Sequence, residues 1–452
     1  MSAVTPKPSS AVIVGLGRTG LSCARYLHAL GWKLAVTDTR AQPPELAGLR
    51  QLDSRIPVSA GGLDTRLLDD AVCVVASPGV SLNAPFFVEA RRRGLEIVGD
   101  IELFARAVDA PVAGITGTNG KSTVTTLVGR MAARAGVKVR VGGNLGEPAL
   151  DLLTTARADV EPTQLYVLEL SSYQLEATSS LDLKTATVLN VTPDHLDRYK
   201  SVEDYAIAKA RIFARCDTAV INLDDPLVVA MPQPGQRTVG FSLRATIGAD
   251  YAVASRDGEW WLMRRDAPLM PVSAMKIKGL HNAANALASL ALGEALNLPM
   301  SAMLSELAEF PGLPHRAQWV ADVNGVTYIN DSKGTNVGAT IAAVSGMTGP
   351  LIIIAGGDGK NQDFTPLADA FRGKVRHTVL IGRDAQAIER VLKGVSTTQT
   401  CASLEDAVGV AARAAQPGDT VLLSPACASL DMFRDYAHRG AVFTQAVKEL
   451  AA

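Results

Sequence analysis

Two kinds of apolar segment alternate along the chain. Short runs rich in β-branched residues recur at 11–14, 72–76, 165–170, 187–191, 220–223, 351–355, 378–381 and 420–423. Each is apolar almost throughout and ends near Gly, Asp, Asn or Ser. Between many of them lie amphipathic stretches of helical period, as at 21–30, 122–135, 281–297 and 384–392. A strand that is apolar on both faces must be covered on both. Such strands alternating with helices predict an α/β fold built on mostly parallel sheets.

The chain has 452 residues, which at about 150 residues per domain predicts three domains. The strand–turn–helix theme restarts at Pro111, and FPGLP at 310–314 places two prolines around a glycine after a helical segment. The expected domains are therefore 1–108, 109–312 and 313–452. Asn324-Gly325 between the apolar runs 319–323 and 326–329 is a hairpin signal, so an antiparallel pair should open the third domain. The stretch 232–278 reads as irregular β structure with one strand at 260–263.

Composition narrows the function classes. Lys+Arg total 44 and Asp+Glu 45, a net charge of −1. That balance argues against nucleic acid or an anionic membrane as the main partner, because both need clustered basic residues. Cys23, Cys73, Cys216, Cys401 and Cys427 are widely spaced with no CxxC, which disfavours a disulfide framework or structural zinc and fits a reducing cytosol. No apolar run approaches the roughly 18 residues of a membrane span. MSAVTPKPSS lacks the apolar core of a secretory signal, so a cytoplasmic location is expected.

The strongest chemical signal is GITGTNGKST at 114–123, after an apolar run and before a helical one. Its glycines let backbone amides wrap a phosphate chain at a helix N-terminus. Lys121 would reach the β- and γ-phosphates, and the Ser122 hydroxyl would ligate Mg²⁺. The strict pattern has glycine where this chain has Ile115. Glu169 ends an apolar run and is placed to hold Mg²⁺ at a carboxyl sheet edge, with Ser171 and Ser172 following.

A second glycine turn, Gly15-Leu16-Gly17-Arg18-Thr19-Gly20, has Asp38 eighteen residues beyond its last glycine. This is also a dinucleotide fingerprint, so a nicotinamide-dependent oxidoreductase competes; it leaves the phosphate loop unexplained. A nucleotide sugar carries a diphosphate and ribose as well, and Thr39 and Arg40 could meet its uracil or phosphates. A phosphate-loop switch or motor is the other alternative; it leaves the first turn unused. Asp194, His195 and Asp197 follow a strand and suit a metal with its bound anion. Lys209 lies on a helix at 206–213. In the last third, Arg316, Lys333, Asp358-Gly359-Lys360 and 423–430 gather cations and hydroxyls near strand ends, the last at an expected helix start.

In order, GITGTNGKST, LELSSYQLE, NVTPDHLDRY, GLHNAANALA, GLPHR, NDSKGTN, GGDGK and LSPACASLDMF resemble the Mur ligase family over nearly the whole chain. NDSKGTN, NVTPDHLDRY and LSPACASLDMF are most similar to the branch that adds D-glutamate, rather than alanine, a diamino acid or a dipeptide. The resemblance implies a Rossmann-like N-terminal domain for a UDP substrate, a central ATPase domain and a Rossmann-like C-terminal domain for the amino acid. It implies that ATP phosphorylates the carboxylate of UDP-N-acetylmuramoyl-L-alanine and that the D-glutamate amine attacks the acyl phosphate through a tetrahedral intermediate. Two Mg²⁺ sites, small-molecule partners only and a monomer are expected.

Residue by residue, the resemblance implies catalytic roles for Lys121, His195, Lys209, Arg316 and Lys333. ATP would meet Gly117, Thr118, Asn119, Gly120, Lys121, Ser122, Thr123, Asn282, Asn285, Arg316 and Asp331. The UDP substrate would meet Arg18, Thr19, Asp38, Thr39, Arg40, Gly79, Asn144, Ser171 and His195. D-Glutamate would meet Thr335, Lys360, Ser429, Leu430 and Tyr436, the last standing where the family often has Phe. Pro193 and Gly334 also differ from common choices. The metal ligands would be Ser122, Glu169, His195 and Lys209 as a carbamate. A third domain hinged at 310–314 would close the site against water, which an acyl phosphate requires.

Overall fold

The computed structural model describes residues 9–244, 248–277, 279–347 and 349–450. Most of the N-terminal stretch read above, and Lys278, lie outside the described residues. The rest folds as three α/β units, each around a largely parallel sheet.

The first sheet runs in the order Val58–Ala60, Lys33–Asp38, Ser10–Val14, Cys73–Ala76, Glu96–Val98, all parallel. The chain lays strands on one side of Ser10–Val14 and then on the other, so this strand is the point where the order reverses. A crevice opens outside its carboxyl end, where the turn 15–20 begins.

In the central sheet, Val112–Thr116 lies between Leu165–Glu169 and Leu183–Val188, all parallel. Ile115 registers with Glu169, and Thr116 with Val188. Three segments distant in sequence thus end at one edge. The strand expected at 187–191 is Leu183–Val188. Beyond it the backbone serves the phosphate loop: the amides of Thr118 and Asn119 donate to the Asn190 carbonyl and side-chain oxygen at 2.9 and 2.8 Å.

The stretch expected to be irregular β is more regular than its composition suggests. Arg237–Ser242 joins the sheet in parallel, and Tyr251–Arg256, Glu259–Arg264 and Ala267–Pro271 extend it, the last three as an antiparallel meander. Asp257-Gly258, both at positive φ, closes the first hairpin. The helix Lys121–Arg134 packs on Leu280–Ala295. Val124, Leu127, Val128 and Met131 are buried with Ala283, Ala286, Leu287 and Leu290 in one core.

The third sheet orders Gln318–Val323, Val326–Asn330, Thr420–Leu423, Leu351–Gly356, Val375–Ile381, Thr397–Thr400. The first pair is the antiparallel hairpin around Asn324-Gly325, and the other pairings are parallel. One expectation fails here. No helix starts within 423–430; the helix after the last strand is Tyr436–Leu450. Of the hydroxyls there, Ser424 Oγ bonds inward, donating to Asp331 Oδ2 at 2.9 Å. The helix expected across 206–213 is Val202–Ala210, followed by a 3-10 turn, Arg211–Phe213. No helix among the described residues is long and apolar enough to cross a membrane.

Candidate active site

The strand Val112–Thr116 leads into the loop 117–120 and the helix Lys121–Arg134. Ile115 is a buried strand residue, so the departure from the strict pattern falls before the loop turns; Gly117, at φ 146°, lies within the loop. Gly120 sits at φ 84°, and a Cβ there would lie 2.4 Å from Asn285 Oδ1. Backbone and space both require glycine at that point. The helix start supplies free amides and a partial positive charge to an anion.

Side chains from the central and third units meet over this loop. Ser122 Oγ donates to Glu169 Oε2 at 2.6 Å and accepts from Arg316 Nη2 at 2.6 Å. Asn144 Nδ2 holds the other Glu169 oxygen at 2.7 Å. Lys121 Nζ donates to the carbonyls of Gly117 and Thr118, both at 2.9 Å. Lys209, fully buried, donates to the same Gly117 carbonyl at 2.9 Å. From the third unit, Lys360 Nζ pairs with Asp194 Oδ1 at 2.8 Å, and Asn336 Nδ2 reaches Asp194 Oδ2 at 3.2 Å.

These residues line a cavity of about 300 Å³ with His195, Lys333, Ser171 and Thr335. Lys121, Lys209, Arg316, Lys333 and Lys360 face only Glu169 and Asp194 in it. Leaving Lys209 aside, four cations against two carboxylates make an anion site. Burial raises the affinity of Glu169 for its proton, but the Lys121 ammonium and the bonds from Ser122 and Asn144 outweigh this and keep it ionised. Burial, then the neighbouring Lys121 charge, pulls Lys209 well below the ordinary lysine value. Burial and then Arg316 bring Lys333 down to about 8.

A second cavity, about 290 Å³, adjoins the first across Asn119, Gly120, Arg316 and Lys333. It holds Thr123, Asn282, Asn285 and Asp331 against an apolar wall of Leu189, Phe241, Ile277 and Leu313. A third, about 510 Å³, is the crevice of the first sheet. Arg18, Thr19, Asp38, Thr39, Arg40 and Gly79 line it, and Asn144 and Pro78 border both it and the cationic cavity. Asp38 accepts from the Leu16 amide and from Arg40 at 2.6 to 2.9 Å. Burial opposes its ionisation, yet those bonds hold it at about 2.

Four predicted residues line none of these cavities; one is Gly117, whose carbonyl accepts from Lys121 and Lys209. Ser429 is buried, Leu430 is 72% exposed, and Tyr436 contributes its ring beneath Lys333 Nζ at 3.9 Å. Several residues near the site were not foreseen. Asn336 caps the helix Val337–Gly346 and bridges to Asp194 and Asn119. Arg439 is fully buried and donates to Ser332 Oγ and to the carbonyls of Ser332, Cys427 and Ala428. Its spacing with Phe443 and Val447, one helical face at i, i+4 and i+8, is the signal that could have found it. Tyr173 donates to or accepts from His195 Nδ1 at 2.8 Å. Among the described residues no group of three or more His, Cys, Asp or Glu could hold a metal ion.

Comparison with known proteins adds to this geometry. Residues 9–99 match the Mur ligase MurD-like N-terminal domain, 115–293 the Mur ligase middle domain and 315–427 the Mur ligase glutamate ligase domain. A UDP-N-acetylmuramoylalanine–D-glutamate ligase of Methylococcus capsulatus is 49% identical over 98% of this chain and 95% of its own. The protein of that name from Nitrosococcus oceani is 50% identical over 98% and 97%. The crystal structure of the UDP-N-acetylmuramate-alanine ligase MurC of Thermotoga maritima shares the fold, with TM-score 0.61 and 19% identity over 98% of this chain and 99% of that one.

Proposed function

The chain belongs to the Mur ligase family, and from that premise we propose that it joins D-glutamate to UDP-N-acetylmuramoyl-L-alanine with ATP, in peptidoglycan precursor synthesis. One observation carries the reading: a cavity rich in cations sits between a glycine-turn crevice and a phosphate-loop pocket, and all three units supply its walls. The relatives named for this reaction, alike over nearly the whole chain, support it.

Residues 1–108 hold the UDP portion, 109–312 the ATP and 313–452 the amino acid. The uridine end lies in the crevice by Arg18, Thr19, Asp38, Thr39, Arg40 and Gly79. Asn144, Ser171 and His195 lead its alanyl carboxylate towards the phosphate loop. Adenine lies by Asn282 and Asn285, and the phosphate chain runs over 117–123. Thr335, Lys360, Ser429, Leu430 and Tyr436 receive D-glutamate. Arg316, Asp331 and Lys333 reach the nucleotide from the third unit, which turns on 310–314; Gly312 there adopts φ 86°.

A carboxylate oxygen bonds to the γ-phosphorus as the bond to the β-phosphate oxygen breaks. The neutral amine of D-glutamate then attacks the acyl carbon, and phosphate leaves from the tetrahedral intermediate. Two anions must approach in the first step. Lys121, Arg316 and the loop amides offset that repulsion, and the enclosing units exclude water from the acyl phosphate.

Ser122 Oγ and Glu169 fit a Mg²⁺ that keeps waters and bonds chiefly to phosphate, which needs no carboxylate cage. The ion supplies charge neutralisation there. For a second ion, His195 fits as a ligand, but Lys209 as an ammonium does not. A carbamate on Lys209 turns it into an oxygen donor, and the burial that depresses its basicity supplies the neutral amine carbon dioxide requires. The enzyme works as a cytoplasmic monomer on small molecules, without nucleic acid or membrane insertion.

The test is phosphate release in the presence of ATP. It should depend jointly on UDP-N-acetylmuramoyl-L-alanine and D-glutamate, and oxygen-18 placed in the alanyl carboxylate should appear in the phosphate. Release indifferent to either substrate, or phosphate free of the label, would refute the proposal.

A further inference from the structure

His195 stands at φ 55°, a conformation uncommon for a residue with a Cβ. Its carbonyl accepts from the amides of Arg198 and Tyr199, both at 3.0 Å, so the backbone turns back at once. That turn wraps its own side chains around Tyr173, which belongs to the helix Ser172–Glu176. The Arg198 guanidinium lies over the Tyr173 ring, 4.3 Å from its centre. The Tyr199 ring stacks against it at 6.0 Å, and the His195 ring meets it edge-on at 5.1 Å. Arg198 and Tyr199 are themselves held by the two oxygens of Glu176, at 2.5 Å each, and Arg198 also reaches the Pro78 carbonyl at 3.2 Å.

Tyr173 is thus fixed on its ring face and at its hydroxyl. The hydroxyl is 2.8 Å from His195 Nδ1. The other ring nitrogen, Nε2, is 3.8 Å from Asp194 Oδ2, too far for that carboxylate to hold a proton on it. The two nitrogens of an imidazole are chemically distinct, and the partner of one decides what the other offers.

We infer that Tyr173 is a positioning residue for His195. Its phenol oxygen accepts a hydrogen bond from Nδ1–H, and Nε2 therefore presents a lone pair to the cationic cavity. The arrangement suits an Nε2 that must bind a divalent cation there. The inference rests on reading this cavity as the ligase active site.

The first measurement needs no turnover. Long-range proton–nitrogen NMR of the histidine-labelled, full-length protein, with His195→Gln to assign the signal, should show His195 protonated on Nδ1. The second uses Tyr173→Phe, which keeps the ring and removes one oxygen. There the His195 signal should move toward the Nε2-protonated form. Mn²⁺ affinity, read by electron paramagnetic resonance with a non-hydrolysable ATP analogue, should fall about tenfold, in the range for loss of a ligand's orienting partner. An Nε2-protonated His195 in the unmodified protein would overturn the inference, and so would a Tyr173→Phe spectrum and affinity equal to the parent's. Should the variant fail to fold, the spectrum of the unmodified protein decides alone. If phosphate release proves independent of the two substrates, the ligase reading fails while the tautomer result stands.

Discussion

Gly120 and Gly136 flank the same helix and share a left-handed backbone, at φ 84° and 82°. They differ in what a side chain would meet. A Cβ at Gly136 finds nothing within 4 Å, whereas one at Gly120 comes within 2.4 Å of Asn285 Oδ1 and 3.2 Å of Leu189 Cδ1. Alanine at either position carries the left-handed strain of about 1–2 kcal/mol. Only at Gly120 must Asn285 also move. Its Nδ2 then loses the bond to Asn282 Oδ1, now 3.1 Å, worth about 1 kcal/mol. A shifted rotamer adds about 0.5–1.5 kcal/mol. The difference between the two variants is therefore roughly 1.5–2.5 kcal/mol, or about 10- to 70-fold in an equilibrium constant. Both variants should melt earlier than the parent. Urea unfolding should place Gly120→Ala below Gly136→Ala by that amount, and titration calorimetry with a non-hydrolysable ATP analogue should show weaker binding by Gly120→Ala than by Gly136→Ala. Equal nucleotide affinities in the two variants would refute the idea that the 117–120 loop and Asn285 form one nucleotide cradle.

Lys121→Ala should leave the circular dichroism spectrum intact and lower ATP-dependent turnover at least about 100-fold, the usual scale for losing one charge-stabilising donor; near-normal turnover would remove the phosphate-loop role. Carbon-13 dioxide supplied to the folded protein should give a carbamate signal that is lost in Lys209→Arg, and an active, Mg²⁺-loaded protein without that signal would contradict the modification. Asp100 offers a stability test. It is fully buried, Oδ2 accepts from Gln174 at 2.8 Å, Oδ1 has no partner among the described residues, and burial raises it to about 6. The raised value means its ionisation opposes folding: stability is complete below about 4 and is lost as pH rises through about 6. Asp100→Asn should therefore gain stability over the parent at pH 8 and little at pH 5 in urea unfolding; a gain that does not change with pH would contradict this.

Much of the molecule is written in local pattern. The apolar runs became the sheet strands because a residue pair buried on both faces admits little but a covered parallel sheet. Asn324-Gly325 became a hairpin because those residues accept positive φ cheaply. Asp257-Gly258 carried the same signal within the stretch 232–278, where polar and aromatic positions obscured the alternation. The phosphate loop was legible despite Ile115, since the loop conformation depends on Gly117 and Gly120.

What local pattern could not decide is who faces whom. Parallel register brings Glu169 and the loop after Val188 to the end of Val112–Thr116, and no spacing in the chain encodes that meeting. The cation-rich cavity needs Arg316, Lys333 and Lys360 to arrive from a separate unit, and its charge balance emerges only when they do. The bridge from Asn336 to Asp194 likewise depends on how the units pack, while the bond between Tyr173 and His195 and the burial of Arg439 depend on how distant segments pack within one unit. Strand and turn preferences act over a few residues, so the sequence alone determined the elements and the chemistry each could carry. Burial, register and desolvation act across the whole fold, and they decided which of those residues form one site.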